Sequence, residues 1–182
     1  MQQPPVQNYH IYPVRLLWTG NNPTLQGQGT SSYTSYERSY EVQVEGKPIL
    51  LGSSDVAYRG DATKYNPEEM LVAAISACHM LWYLHLCADN SITVHSYEDK
   101  AIGYMQAETR QTGKDGSSQV IAGKFTQVLL RPLILLKDPA DQQRATELHH
   151  AAHQRCFIAN SVNFEVLANP GFSFPNGGKL VP

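Results

Sequence analysis

One run constrains this chain more than any other: "YNPEEMLVAAISACHMLWYLHLC", from Tyr65 to Cys87, nearly free of charge beyond its first turn. It opens as a helix N-terminus. Asn66 can cap, Pro67 suits the first helical position because its missing N–H is not needed there, and Glu69 can reach back to the Asn66 backbone. Glu68 and Glu69 also lie at the positive end of the helix dipole. The capping box uses only Glu69, which leaves Glu68 for another role. From Met70 to Ala88 the run approaches the ~20 residues that a membrane-spanning helix needs. Ser76, His79 and His85 interrupt it, however, and no flanking Lys or Arg sets an orientation. The expectation is a soluble central helix buried on most sides, in the protein interior or across a dimer interface. Cys78 and Cys87 are nine residues apart, so at about 100° per residue they face opposite ways and cannot pair on one unbroken helix. Cys87, near the apolar end, reads as a packing thiol. Cys78 is the one with chemistry to explain.

A chain of 182 residues points to one domain, 1–182, with a core large enough to need no disulfide staples. A formal net charge of −2 gives no electrostatic case for nucleic acid or an anionic membrane as partner. The first residues, "MQQPPVQNYHIYPVRLLW", lack a basic segment followed by a long apolar one, and three cysteines make no even disulfide framework. Both features favour a reducing, cytoplasmic setting.

Residues 1–10 read as a loose arm and "IYPVRLLW" as a first strand, with Pro13 at an edge or a strand start. "YERSYEVQVEG" alternates, placing Tyr40, Val42 and Val44 on one face of a half-buried strand that turns at Glu45–Gly46–Lys47 into "PILLG". Residues 53–66 form a loop before the long helix. Two strands then follow, "SITVHSYEDKAIGYMQAETR" and "SSQVIAGKFTQVLLRPLILL", turning at Gly113–Gly116. "DPADQQRATELHHAAHQRC" is a helix with Asp138 as N-cap and Pro139 at its first position. "CFIANSV" extends it or starts another turn, "NFEVLA" is a last strand, and 169–182 are an irregular tail. Strands, helix, strands, helix, strand define an α+β protein rather than a nucleotide-binding βαβ repeat.

"NPEEMLVAAISAC", followed 78 residues after its cysteine by Cys156 in "CFIANSV", resembles the OsmC/Ohr family of hydroperoxide-detoxifying proteins, over about residues 11–168. "RGDATKYNPEE" and "HMLWYLHLC" point to an OsmC-like subgroup. The resemblance implies an α+β OsmC-like fold, an intertwined homodimer and active sites at the subunit interface. Cys78 then corresponds to the peroxidatic cysteine, Cys156 to the resolving cysteine on the second long helix, and Glu68 to the glutamate that supports the thiolate. The supporting arginine corresponds to Arg38, in "YERSYEV" at the start of the second strand, with Arg59 as rival. Arg38 is favoured because a strand fixes a guanidinium better than a loop does. Phe157 follows Cys156 where the family commonly has proline.

The implied activity is a thiol-dependent peroxidase acting on organic hydroperoxides, and less well on hydrogen peroxide. It proceeds through a Cys78 sulfenic acid and a Cys78–Cys156 disulfide, with no bound cofactor or metal. An external dithiol, of which a lipoylated protein is one kind, restores the thiols. The thiolate needs a cation because apolar surroundings raise a thiol pKa, and Glu68 would accept the arginine's hydrogen bonds. The alternative is a non-catalytic OsmC-like dimer that binds a small ligand or senses redox state. Two further readings are weaker. His149 and His153, four apart on a helix, could share a metal, but they read more simply as a polar face. A Cys78–His79 hydrolase is weak too, because adjacent helical side chains diverge by about 100°.

Overall fold

The computed structural model describes residues 9–21, 29–112 and 117–175. Most of the arm at 1–10, the turn at Gly113–Gly116 and the end of the tail therefore lie outside the described residues. Contacts divide the chain into two compact units, Met1–Pro67 and Glu68–Pro182.

The first unit holds a three-stranded antiparallel sheet of β1 (Arg15–Trp18), β2 (Tyr40–Gln43) and β3 (Leu50–Gly52), with β2 in the centre. β1 is shorter than expected. It begins only after Pro13, whose ring nitrogen cannot donate to a ladder. Nor does β2 split into a buried and an exposed face. All four of its residues are half-buried. The turn to β3 falls where expected, with Gly46 at φ 72° and Lys47 N–H donating to Val44 O at 3.1 Å. A Cβ on Gly52 would sit 2.3 Å from the Tyr40 ring, so that close approach requires glycine.

The second unit is built on α1 (Pro67–Asp89). What read as two long strands is six: β4 (Val94–Asp99), β5 (Ile102–Gln106), β6 (Thr109–Thr112), β7 (Ser118–Ile121), β8 (Lys124–Leu130) and β9 (Pro132–Leu136). α2 (Gln142–Arg155) follows, then β10 (Glu165–Ala168) and β11 (Gly171–Ser173). β11 is a strand in what read as irregular tail. The sheets have orders β10-β8-β5 and β11-β9-β4, while β6 and β7 form a hairpin.

The two three-stranded sheets are one ribbon broken at a common level. β4–β5 break at Lys100–Ala101, β8–β9 at Arg131, and β10–β11 at Asn169–Pro170. Backbone groups freed at the break find local partners. Arg131 N–H donates to Asp99 Oδ1 at 2.7 Å, Arg131 Nε to Lys100 O at 2.8 Å, and Asn169 N–H to Leu130 O at 2.9 Å. A hydrophobic alternation cannot announce such a break, because both halves keep the same period.

α2 starts as its sequence implies. Asp138 Oδ1 accepts from Ala140 N–H at 2.9 Å, capping a 3-10 turn (Pro139–Asp141) that leads into the helix. One core cluster packs Tyr83, Leu86 and Cys87 of α1 against Ile134, Leu136, Ala145, Leu148 and Phe172. A second packs Ile75 against Val128, Leu130 and Val166.

The expectation of a helix buried on most sides is corrected for the single chain. Only one stripe of α1 is buried, Ile75, His79, Tyr83, Leu86 and Cys87. Its outer face carries Ala73, Ala74 and Ala77, with Leu81 63% exposed. By length and composition the helix could cross a membrane. Two of its polar side chains are nevertheless satisfied within the unit, Ser76 by Asp99 and His79 by His149.

Candidate active site

α1 places Cys78 half-buried, one turn after Ile75 has turned into the core. Cys156 is wholly buried and lies not on the second helix but just past it, as the extended C-cap residue of α2 (φ −69°, ψ 107°). The chain leaves the helix here, and the following 3-10 turn (Ala159–Ser161) brings Ala159 N–H to Cys156 Sγ at 3.4 Å. Cys78 lies close enough to Cys156 to influence the ionisation of its thiol, and both are free thiols. Burial pushes the Cys156 thiol up to about 11; the Ala159 N–H opposes the rise and Cys78 adds to it. The two cysteines are thus brought together, Cys78 half-buried and Cys156 wholly buried with its thiol protonated at neutral pH. Cys87 sits in the core cluster, its thiol pKa raised by burial, as a packing residue.

Aromatic side chains flank the thiols. Trp82, one turn beyond Cys78, meets Phe157 edge to face at 5.6 Å, and the Arg155 guanidinium lies 5.8 Å from the Trp82 ring. Phe157, where the family commonly has proline, is 69% exposed. Leu81, Trp82 and His85 line an open recess of about 270 Å³.

Glu68 stands in the first turn of α1, and its Oε2 is buried without a hydrogen-bond partner. A buried carboxylate oxygen in that state calls for a donor. The two candidate arginines belong to the other compact unit. Arg38 precedes β2 rather than lying on it. It donates from Nη1 to Tyr36 O and from Nη2 to Tyr33 O, both at 2.7 Å, with its guanidinium 4.1 Å from the Tyr36 ring and 4.5 Å from the Tyr33 ring. Arg59, in the left-handed region at φ 66°, lies 5.9 Å from the same Tyr33 ring. Carbonyls and rings therefore fix Arg38 more firmly than Arg59, although no strand does so.

The pair that sequence reasoning missed is His79 with His149. Their Nε2 and Nδ1 atoms are 3.0 Å apart, and both residues are buried. His149 stacks on Tyr83 at 3.9 Å. Desolvation, chiefly, pushes His79 down to about 4 and His149 to about 3, so both are neutral at pH 7. The reading that grouped His149 with His153 is corrected, since His149 faces α1. A signal was present: His79 lies midway between Ile75 and Tyr83 at helical spacing, and a histidine on a buried stripe needs a partner. Among the described residues no group of three or more His, Cys, Asp or Glu side chains is arranged to hold a metal.

The fold and site define a mixed α+β protein with two free thiols converging where its two long helices meet. The family described as OsmC-like protein matches residues 60–168, and the chain belongs to that family. Among solved structures it is similar to an OsmC-like protein of unknown function from Vibrio cholerae, at 27% identity and a TM-score of 0.68, covering 89% of this chain and 99% of that one. It also shares its fold with an organic hydroperoxide resistance protein OsmC from Legionella pneumophila (15% identity, TM-score 0.56, 92% and 99% covered). The organic hydroperoxide resistance protein OhrB of Bacillus subtilis is a third (18%, 0.52, 88% and 98%). No curated protein sequence matches the chain.

Proposed function

We propose that the protein is a thiol-dependent peroxidase that reduces organic hydroperoxides. The observation that carries this reading is the half-buried Cys78 thiol lying against the buried Cys156 thiol, both free. Cys78 thiolate attacks the O–O bond; the oxygen it takes becomes its sulfenic acid, and the leaving alkoxide picks up a proton to depart as alcohol. Cys156 then displaces hydroxide from that sulfenic acid, forming the Cys78–Cys156 disulfide and water. An external dithiol, such as that of a lipoylated protein, reduces the disulfide by exchange and is itself oxidised. Arg38, with Arg59 as rival, supplies the cation that favours the thiolate, and Glu68 orients it. The apolar surroundings, Leu81, Trp82 and Phe157, favour organic hydroperoxides over hydrogen peroxide. The working unit in this reading is a cytoplasmic homodimer, the second copy covering the outer face of α1.

Cumene hydroperoxide tests the proposal. Added to reduced protein, it removes two free thiols per chain and yields a disulfide that peptide mapping assigns to Cys78 and Cys156. Cys78→Ser abolishes peroxide consumption. If that variant still turns over, the mechanism is wrong; if the wild-type protein consumes no peroxide, the non-catalytic dimer takes its place.

A further inference from the structure

His79 directly follows Cys78 on α1, and Cys156 stands seven residues beyond His149. Seven helical residues fall about 20° short of two full turns, so His149 and the start of Cys156 lie along one line of α2. The 3.0 Å His79–His149 hydrogen bond therefore ties the two helices together at the residue after Cys78 on α1 and about two turns before Cys156 along α2. Its members cannot rotate freely. The His149 ring is held flat against Tyr83 at 3.9 Å and 15°, and the two imidazoles are nearly parallel. A second tie lies at the far end of α2, where Arg144 Nη2 donates to Asn90 Oδ1 at 3.1 Å, just past α1.

The catalytic steps proposed above use neither histidine, yet burying two imidazoles is costly, and beyond the bond they share His149 Nε2 is buried without a partner. We propose that the His79–His149 pair is the positioning contact that sets the approach of the Cys156 sulfur to the Cys78 sulfur, and so governs closure of the disulfide. The proposal rests on the thiol chemistry above for its biological use, but not for its geometry. A disulfide needs Cβ atoms about 3.5–4.5 Å apart. A roll of α2 by about 20° moves a side-chain tip ~5 Å from the helix axis by about 2 Å, enough to spoil that separation. Ring nitrogens in a dry core resist such a roll, because breaking their bond leaves two orphaned polar atoms.

The test measures the thiol–disulfide equilibrium of the full chain against dithiothreitol. Two electrons and two protons pass from the protein dithiol to oxidised dithiothreitol, and peptide mapping follows the Cys78–Cys156 product. No peroxide is involved, so this equilibrium and the peroxidase reading fail independently. His149→Phe keeps the ring on Tyr83 and removes the hydrogen bond; we expect it to disfavour the disulfide about tenfold, or about 30 mV. His149→Asn places an amide where Nδ1 stood, and His79→Gln places one where Nε2 stood; each recovers most of the loss. The double variant His79→Phe/His149→Phe leaves no orphaned nitrogen and regains stability while the disulfide stays disfavoured. It also carries the test if His149→Phe fails to fold. Leu148→Ala, a packing change on the same helix, serves as control. An unchanged equilibrium in the phenylalanine variants overturns the proposal. So does an equal shift in Leu148→Ala at the same loss of melting temperature.

Discussion

Ser76 Oγ donates a 2.6 Å hydrogen bond to Asp99 Oδ2, while the other oxygen of Asp99 accepts from the Arg131 backbone at 2.7 Å. One carboxylate thus closes the break in the sheet and ties it to α1 two residues before Cys78. Ser76→Ala removes one of the two donors and should cost about 1–2 kcal/mol, whereas Asp99→Ala removes both bonds and should cost about 2–4 kcal/mol. Urea denaturation of the two variants checks the order.

The buried histidines set the acid limit of stability. Their folded pKa values, about 4 and about 3, lie below the value of about 6.5 expected in the unfolded chain. As pH falls below about 6.5 the unfolded state takes up protons that the folded state refuses, so stability falls until the folded values are passed. The slope per histidine is at most about 1.4 kcal/mol per pH unit. Melting temperature measured from pH 7 to pH 4 should drop less steeply in His79→Phe/His149→Phe than in the wild type.

Cys156 should be slow to alkylate. In Cys78→Ser, burial remains as the chief cause of its raised pKa, so the rate with iodoacetamide should still be climbing above pH 9. The raised value has a stability consequence of opposite sense to that of the histidines. Above pH 9 the unfolded thiol ionises before the folded one does, and stability is lost as pH rises toward about 11. A reactivity midpoint below pH 8 would contradict the burial.

Two leucine-class positions separate core from outer face. Ile134 is fully buried in the cluster that holds α1 and α2, and Ile134→Ala should cost about 2–5 kcal/mol. Leu81 is exposed in the single chain, so Leu81→Asp should leave a monomer's stability nearly unchanged, within about 0.5 kcal/mol. If a second copy covers that face, the same change should instead reduce dimer mass in light scattering.

Helix signals were legible because they are local. Pro67 and the two glutamates mark the start of α1, and Asp138–Pro139 mark the turn that leads into α2. The sheet was legible only in outline: strand residues were recognised, but the division of two long strands into six was not. The breaks between β4 and β5 and between β8 and β9 depend on Asp99 and Lys100 meeting Arg131 across the sheet, more than thirty positions away and with no turn signature. β11 escaped notice for a similar reason. It pairs in parallel with β9, and nothing local in "NPGFSF" demands a strand.

By itself the sequence determined the α+β class, the long helix and where it begins, and the family that "NPEEMLVAAISAC" announces. It also singled out Cys78 over Cys87, because Cys87 stands near the apolar end of the helix whereas the motif that carries the family resemblance ends on Cys78. Tertiary structure decided the rest. It carried Cys156 off the end of α2 into a buried position against Cys78, left an oxygen of Glu68 without a donor, and turned His149 toward His79 rather than His153. The physical reason is common to all three. Helix periodicity states which way a side chain points along its own axis, but what it meets there depends on how separate elements pack, and only packing sets burial, hydrogen bonding and pKa.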